Sequence, residues 1–162
     1  LISYYSELYG FDFVIARCFS FVGPFLPLDL HYAIGNFVFD ALYNEIIEVK
    51  GDGKAVRSYL DIDDLIIWLL KLMSTQCKYK IYNVGSDQSL TILELAEIIQ
   101  KSIAPNKKIK IIGDQLHSIG NFSRSYYVPN IDRAKNELAL DVWTDINKAI
   151  IRLKNGALID GK

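Results

Sequence analysis

The chain has 162 residues, 51% of them hydrophobic, and a formal net charge of −1 at pH 7. That length and apolar content are enough for one compact unit with a substantial core. The near balance of 18 Lys and Arg against 19 Asp and Glu argues against a general nucleic-acid binder, which would carry a basic stripe.

The two cysteines, Cys18 and Cys77, lie far apart without metal-type spacing and read as reduced thiols. No apolar run reaches membrane-spanning length, because the longest, around Ile66 to Leu72, contains Lys71 and follows three aspartates. The first residues have neither a basic n-region nor a cleavage-like site. The resulting expectation is a soluble cytoplasmic domain with no membrane partner.

In chain order, Ile2 to Tyr9 repeats apolar residues at helical spacing and stops at Gly10, a natural C-cap. Phe11 to Ala16 is a short apolar run that suits a strand buried on both faces of a parallel sheet. Its one comparable companion is Lys80 to Val84, so most of that sheet is expected to lie outside this sequence. A loop follows from Phe21 to Leu30, punctuated by Gly23, Pro24 and Pro27. Ala33 to Tyr43 reads as a helix with Ile34, Phe37, Val38, Ala41 and Leu42 on one face.

A strand over Ile46–Val49 leads into Gly51-Asp52-Gly53, a strong turn signal, and a second strand runs from Arg57 to Asp61. Asp63 or Asp64 is placed to cap a helix from Leu65 to Met73. Thr91-Ile-Leu-Glu94 matches a capping box that opens a helix from Ile92 to about Ile103, ahead of Pro105. Lys108 to Ile112 reads as a strand, Gly113 to Ser125 as a polar loop, and Tyr126 to Pro129 as extended. Helices over Ile131 to Leu138 and Thr144 to Leu153 complete the α/β pattern.

The segment with the clearest chemistry is Gly51-Asp-Gly-Lys-Ala-Val-Arg57-Ser-Tyr-Leu-Asp-Ile-Asp-Asp64. A tight turn before an arginine at a strand start presents a planar guanidinium fork at a cleft edge, and that fork suits the oxygens of a diphosphate. The bland reading is a hairpin with a solvated arginine. The alternation of Asp61, Asp63 and Asp64 beside a helix start points to capping and solvation, not to a metal site. His31 and His117 lack ligand-like companions at i+3 or i+4. Trp68 and Trp143 read as core and helix-packing residues.

The segment from Gly51 to Asp64 is similar to the GDG-x-x-x-R-[DS]-[YF]-[LIV]-x-[VI]-x-D stretch of extended short-chain dehydrogenase/reductases that act on nucleotide sugars. Ala16-Arg-Cys-Phe-Ser-Phe-Val-Gly-Pro24 resembles that family's R-P-x-N-x-Y-G-P segment, and His31-Tyr-Ala-Ile-Gly-Asn-Phe37 resembles its sugar-nucleotide loop and helix. Tyr82-Asn-Val-Gly-Ser86, followed by Thr91 to Ala96, resembles its Y-N-[VI]-G-[SG] strand and the next helix.

The resemblance implies the C-terminal, substrate-binding half of an NAD-dependent nucleotide-sugar epimerase or dehydratase. Residues 1–24 and 79–103 would then complete a Rossmann-like sheet, while 25–78 and 104–142 form a substrate-binding subdomain. It further implies a nucleotide-sugar substrate, NAD as cofactor and a homodimer for the full-length protein. Arg57 would bind the diphosphate, with Asn36 contacting the same group. Arg124 is a candidate second phosphate contact, although relatives often place that arginine nearer Tyr127, itself a substrate-site candidate. Glu48 and Lys50 match positions beside the nucleotide base.

Ser20 stands where many relatives have a sugar-contacting asparagine, and Val22 replaces a common tyrosine. Cys18 takes the usual proline position near the nicotinamide, or simply packs at a strand end. The stretch from Gly23 to His31 leans toward the dTDP-glucose 4,6-dehydratase-like branch.

The family's glycine-rich dinucleotide turn does not occur in this sequence, and its Tyr-x-x-x-Lys pair is not recognised either, since Tyr4 and Tyr5 are followed at four residues by Leu8 and Tyr9. The expectation is therefore a fragment that is inactive alone, with the pair just upstream of Leu1 on the same helix. In the complete enzyme the resemblance implies hydride removal from sugar C4 to NAD, giving a 4-keto intermediate. An alternative is a non-catalytic relative that senses nucleotide sugars or binds a partner.

Overall fold

A computed structural model describes residues 1–30, 32–113 and 125–159. Helix α1 (Ile2–Tyr9) ends at Gly10, whose N–H returns to Ser6 O at 2.8 Å. The apolar run after it does not become a strand until Ile15. Strand β1 (Ile15–Cys18) pairs in parallel with β6 (Ile81–Val84), Ile15 opposite Ile81 and Cys18 opposite Val84. The expected burial of this strand on both faces is not met. No residue of β1 is buried, because β6 is its single strand neighbour among the described residues.

Helix α2 (Ala33–Tyr43) and strand β3 (Ile46–Val49) occupy the expected residues. The turn after β3 is not a hairpin. β3 pairs in parallel with β8 (Lys108–Ile111), and the chain then crosses to a different sheet. Two glycines make this crossing possible. Gly53 adopts φ +76°, a left-handed conformation that side chains resist. Gly113 sits so close to Gly51 that a Cβ on it would lie 2.6 Å from the Gly51 backbone.

The single strand expected over Arg57 to Asp61 divides in two. β4 (Val56–Arg57) lies between β7 (Leu90–Thr91), antiparallel, and β9 (Tyr126–Tyr127), parallel. β5 (Leu60–Asp61) instead joins β2 (Phe21–Val22) in parallel. Helix α3 (Ile62–Ser74) starts earlier than its periodicity suggests, because its N-cap is Asp61, whose carboxylate accepts the Asp63 N–H at 2.9 Å. Asp64 does not cap that end. It is buried and accepts the backbone N–H groups of Trp143 and Thr144, at 3.0 and 2.9 Å.

The capping box forms as expected. Thr91 Oγ1 accepts the Glu94 N–H at 3.1 Å, Glu94 Oε2 accepts the Thr91 N–H at 2.7 Å, and α4 runs from Ile92 to Ile103. Helices α5 (Asp132–Leu138) and α6 (Ile146–Ile159) follow. Two apolar clusters result. One gathers Ile34, Phe37 and Val38 of α2, Ile47 of β3, Leu95 and Ile99 of α4, and Ile150 and Leu153 of α6. The other gathers Trp68 and Leu72 of α3, Tyr82 and Val84 of β6, and Ala134 and Leu138 of α5. Trp68 is fully buried, with Nε1 donating to Asp141 O at 3.0 Å, whereas Trp143 is more than half exposed and packs into neither cluster. No helix among the described residues is long and apolar enough to cross a membrane.

Candidate functional site

Strand β4 is the middle strand of its sheet, so the backbone of Arg57 is fixed on both sides, opposite Leu90 and Tyr127. In an extended chain, residues two apart share a side. Arg57 and Tyr59 accordingly both line one cavity of about 490 Å³, while Ser58 between them is buried. Phe19, Ser20 and Phe21, from the end of β1 into β2, line the same cavity, together with Leu26, Ile92 and Tyr127. Tyr32, Ala33 and Ile34 close it at the start of α2.

The electrostatics of this cavity favour an anion. Helix α2 has no side chain capping its N-terminus, so its first-turn N–H groups keep the partial positive charge of a helix start. Arg57 adds a full positive charge, with Nη1 steadied on Val56 O at 2.8 Å and Ser125 O at 3.3 Å. Burial pushes the Tyr59 phenol up to about 12, against the opposing pull of Arg57. At neutral pH, Tyr59 is therefore a neutral hydroxyl that can donate to an oxyanion. Phe19 and Tyr127 pack ring against ring at 4.7 Å and give the cavity an aromatic edge.

Of the residues singled out from sequence, Arg57, Ser20 and Tyr127 come together in this cavity. Asn36 does not line it. In the amide orientation that satisfies both ends, its Nδ2 donates to Leu30 O at 2.6 Å and Leu28 O at 3.0 Å, tying the preceding loop to α2. Glu48 and Lys50 lie along and just after β3, away from the cavity lining, and the Glu48 N–H donates to Asp40 Oδ2 at 3.0 Å. Cys18 is exposed at the C-terminal end of β1, next to cavity residue Phe19. Arg124, His31 and His117 lie outside the described residues, as does most of the expected polar loop. Among the described residues, no cluster of His, Cys, Asp and Glu could hold a metal ion.

Sequence reasoning passed over Tyr59, Phe19, Phe21, Tyr32, Leu26 and Ile92. The first three carried a usable signal: Tyr59 is two residues from Arg57, and Phe19 and Phe21 flank Ser20. Tyr32 lies inside the segment that resembles the sugar-nucleotide loop and helix, while Leu26 and Ile92 arrive from other segments without a mark as site residues.

The described residues do not fit a dinucleotide on their own. β1 runs through Phe19 and Ser20 into β2, not into a glycine-rich turn and helix that would aim amides at a pyrophosphate. Cys18, at the end of a parallel strand, borders the region where open α/β sheets bind ligands.

A family model described as NAD dependent epimerase/dehydratase family matches residues 1–85. UDP-glucuronic acid decarboxylase 4 of Arabidopsis thaliana is 40% identical over 96 residues, which are 59% of this chain and 21% of that protein. Among solved structures, the UDP-glucose 4-epimerase of Thermotoga maritima with UDP-glucose superposes with a TM-score of 0.84 at 16% identity, over 99% of this chain and 50% of the other. An epimerase of Methanothermobacter thermautotrophicus superposes with a TM-score of 0.83 at 20% identity, over 99% of this chain and 47% of the other. The chain thus spans about a fifth of that curated relative and about half of each solved structure. Its α/β architecture with parallel strands is that of about half an extended short-chain dehydrogenase/reductase, and the chain belongs to the NAD dependent epimerase/dehydratase family.

Proposed function

We propose that this chain supplies the nucleotide-sugar-binding part of an NAD-dependent enzyme, and that the cavity around Arg57 receives the diphosphate. The observation that carries this reading is the convergence of Arg57, the neutral Tyr59 hydroxyl and the uncapped start of α2 on one cavity. A diphosphate offers several acceptor oxygens to such donors, and a guanidinium fork binds them with fixed geometry. Ser20 and the aromatic wall of Phe19, Phe21 and Tyr127 would then face the nucleoside or sugar.

The substrate we favour is a UDP-linked sugar acid. This rests on the name of the Arabidopsis relative, a UDP-glucuronic acid decarboxylase, and on its 40% identity. It moves the reading away from the dTDP-glucose 4,6-dehydratase branch toward which the segment from Gly23 to His31 leans. In the family NAD supplies reversible hydride exchange. Because the residues here make no dinucleotide site alone, none is assigned to that step. Their share is to bind and orient the substrate and to exclude water from it.

Calorimetric titration of the chain with UDP, dTDP, CDP and GDP tests the reading. UDP is expected to bind tightest. Arg57→Ala should weaken it by about 2–3 kcal/mol, roughly a hundredfold, since a charge-assisted diphosphate contact is lost. Equal and negligible heats for all four nucleotides would remove the proposal.

A further inference from the structure

Helix α6 brings Arg152 to the end of β5, two residues after the cavity residue Tyr59. Arg152 spreads its guanidinium across two carboxylates, Nη1 on Asp61 Oδ1 at 2.8 Å and Nη2 on Asp63 Oδ2 at 2.6 Å. The Asp61 side chain is fully buried, while Asp63 is more than half exposed. A carboxylate taken out of water needs a cation and hydrogen bonds to be tolerated. Arg152 supplies the cation, and the α3 N–H from Asp63 supplies the other bond to the same oxygen.

The place of this contact matters. Asp61 stands opposite Val22 in the β2–β5 pair, and the Leu60 N–H in the same strand donates to Ser20 O at 3.0 Å. The two cavity walls, one bearing Ser20 and Phe21 and the other Arg57 and Tyr59, therefore meet at the strand that Arg152 holds. Ser58 and Tyr59 connect β4 to β5 and belong to neither strand. Among the described residues, the buried Ser58 hydroxyl and Asp61 Oδ2 have no hydrogen-bond partner. The course of this two-residue connection is held at its ends, by β4 in its three-stranded sheet and by β5 between β2 and the Arg152 fork.

We propose that Arg152 is a positioning residue for the anion cavity: by clamping Asp61 and Asp63 it fixes the β5 end of the connection that carries Tyr59 and follows Arg57. The ligand part of this inference rests on the diphosphate reading above. The planar fork matters to it, because its two nitrogens take one carboxylate each at a fixed spacing, whereas a lysine offers a single nitrogen on a flexible stem.

The test compares the full chain with Arg152→Met, Arg152→Lys, Asp63→Asn and Leu138→Ala. The last removes a buried residue of α5 from the apolar cluster that includes neither Tyr59 nor Arg57, and serves as the control for lost stability alone. Two readouts are taken well below every melting temperature: UDP affinity, and the NMR signals of the Tyr59 ring and the Arg57 Nε–H without ligand. Positioning predicts UDP binding about tenfold weaker in Arg152→Met and about threefold weaker in Arg152→Lys and Asp63→Asn. Both signals should move in these three variants and stay in place in Leu138→Ala. If Arg152→Met does not fold, Asp63→Asn decides, since it opens one arm at a partly exposed residue.

Unmoved Tyr59 and Arg57 signals, with affinities equal to that of the unaltered chain, would overturn the proposal. So would equal shifts in Leu138→Ala. Should the unaltered chain bind no UDP, the nucleotide reading falls on its own, and the ligand-free signals still judge the clamp.

Discussion

The two apolar clusters close to different degrees. Of the large apolar residues of α2 and α4, Phe39 and Tyr43 are exposed, and most of the others meet β3 and α6 in a single interior. Helix α3 is apolar nearly all round. It buries Leu65, Trp68 and Leu72 against β6 and α5 and leaves Ile66, Ile67, Leu69, Leu70 and Met73 exposed. Helix α1 buries no residue at all. Apolar content alone therefore does not report burial here. What decides is whether a second element stands opposite that face within this chain.

The largest effect expected from this contrast lies on the two sides of α3. Trp68→Ala removes a fully buried indole and its bond to Asp141 O, and should cost about 3–5 kcal/mol in chemical denaturation. Ile67→Ala, one residue away on the exposed side, should stay within about 0.5 kcal/mol. Similar losses for the two would break the distinction between the faces.

A smaller effect is expected where the clusters are tied together. Asp64 receives two backbone N–H groups and the Thr144 hydroxyl just before α6 begins. Asp64→Ala would orphan those donors and should cost about 2–3 kcal/mol. Hydrogen exchange should show protection lost first in α6. Loss confined to α3 would separate the clusters more sharply than drawn here.

The smallest effect concerns the exposed cap of α4. Hydrogen bonds from the Thr91 backbone and hydroxyl hold the Glu94 carboxyl below its ordinary value of 4.5. A depressed acid stabilises the fold above the unfolded value and loses that contribution as pH falls through the folded one. The melting-temperature gap between the unaltered chain and Glu94→Gln should thus be widest near neutrality and narrow below about pH 4. A gap that does not change with pH would refute the charged cap.

Much of the local structure was legible beforehand. The periodicity of Ala33 to Tyr43, the box from Thr91 to Glu94 and the stop at Gly10 each specify an element through contacts within four residues. The lining of the candidate site was legible in part. Arg57, Ser20 and Tyr127 meet in the cavity, while Asn36, Glu48 and Lys50 lie outside its lining. Two errors share a cause. The turn at Gly51 to Gly53 looked like a hairpin, and Asp64 like a cap, because each was judged against its sequence neighbours. In the fold, β3 pairs with a strand some sixty residues later, and Asp64 serves a segment nearly eighty residues away.

By itself, then, the amino-acid sequence determined most helices, the caps at Gly10 and Thr91, and the presence of an arginine whose fork suits phosphate oxygens. These depend on side-chain period and on backbone donors satisfied nearby. Only the tertiary structure decided which two-residue strands pair, that Tyr59 and the start of α2 join Arg57, and that Arg152 grips Asp61. Strands so short carry too little pattern to choose a partner. Their pairing is settled by the long-range burial and ion-pair geometry that bring distant segments together.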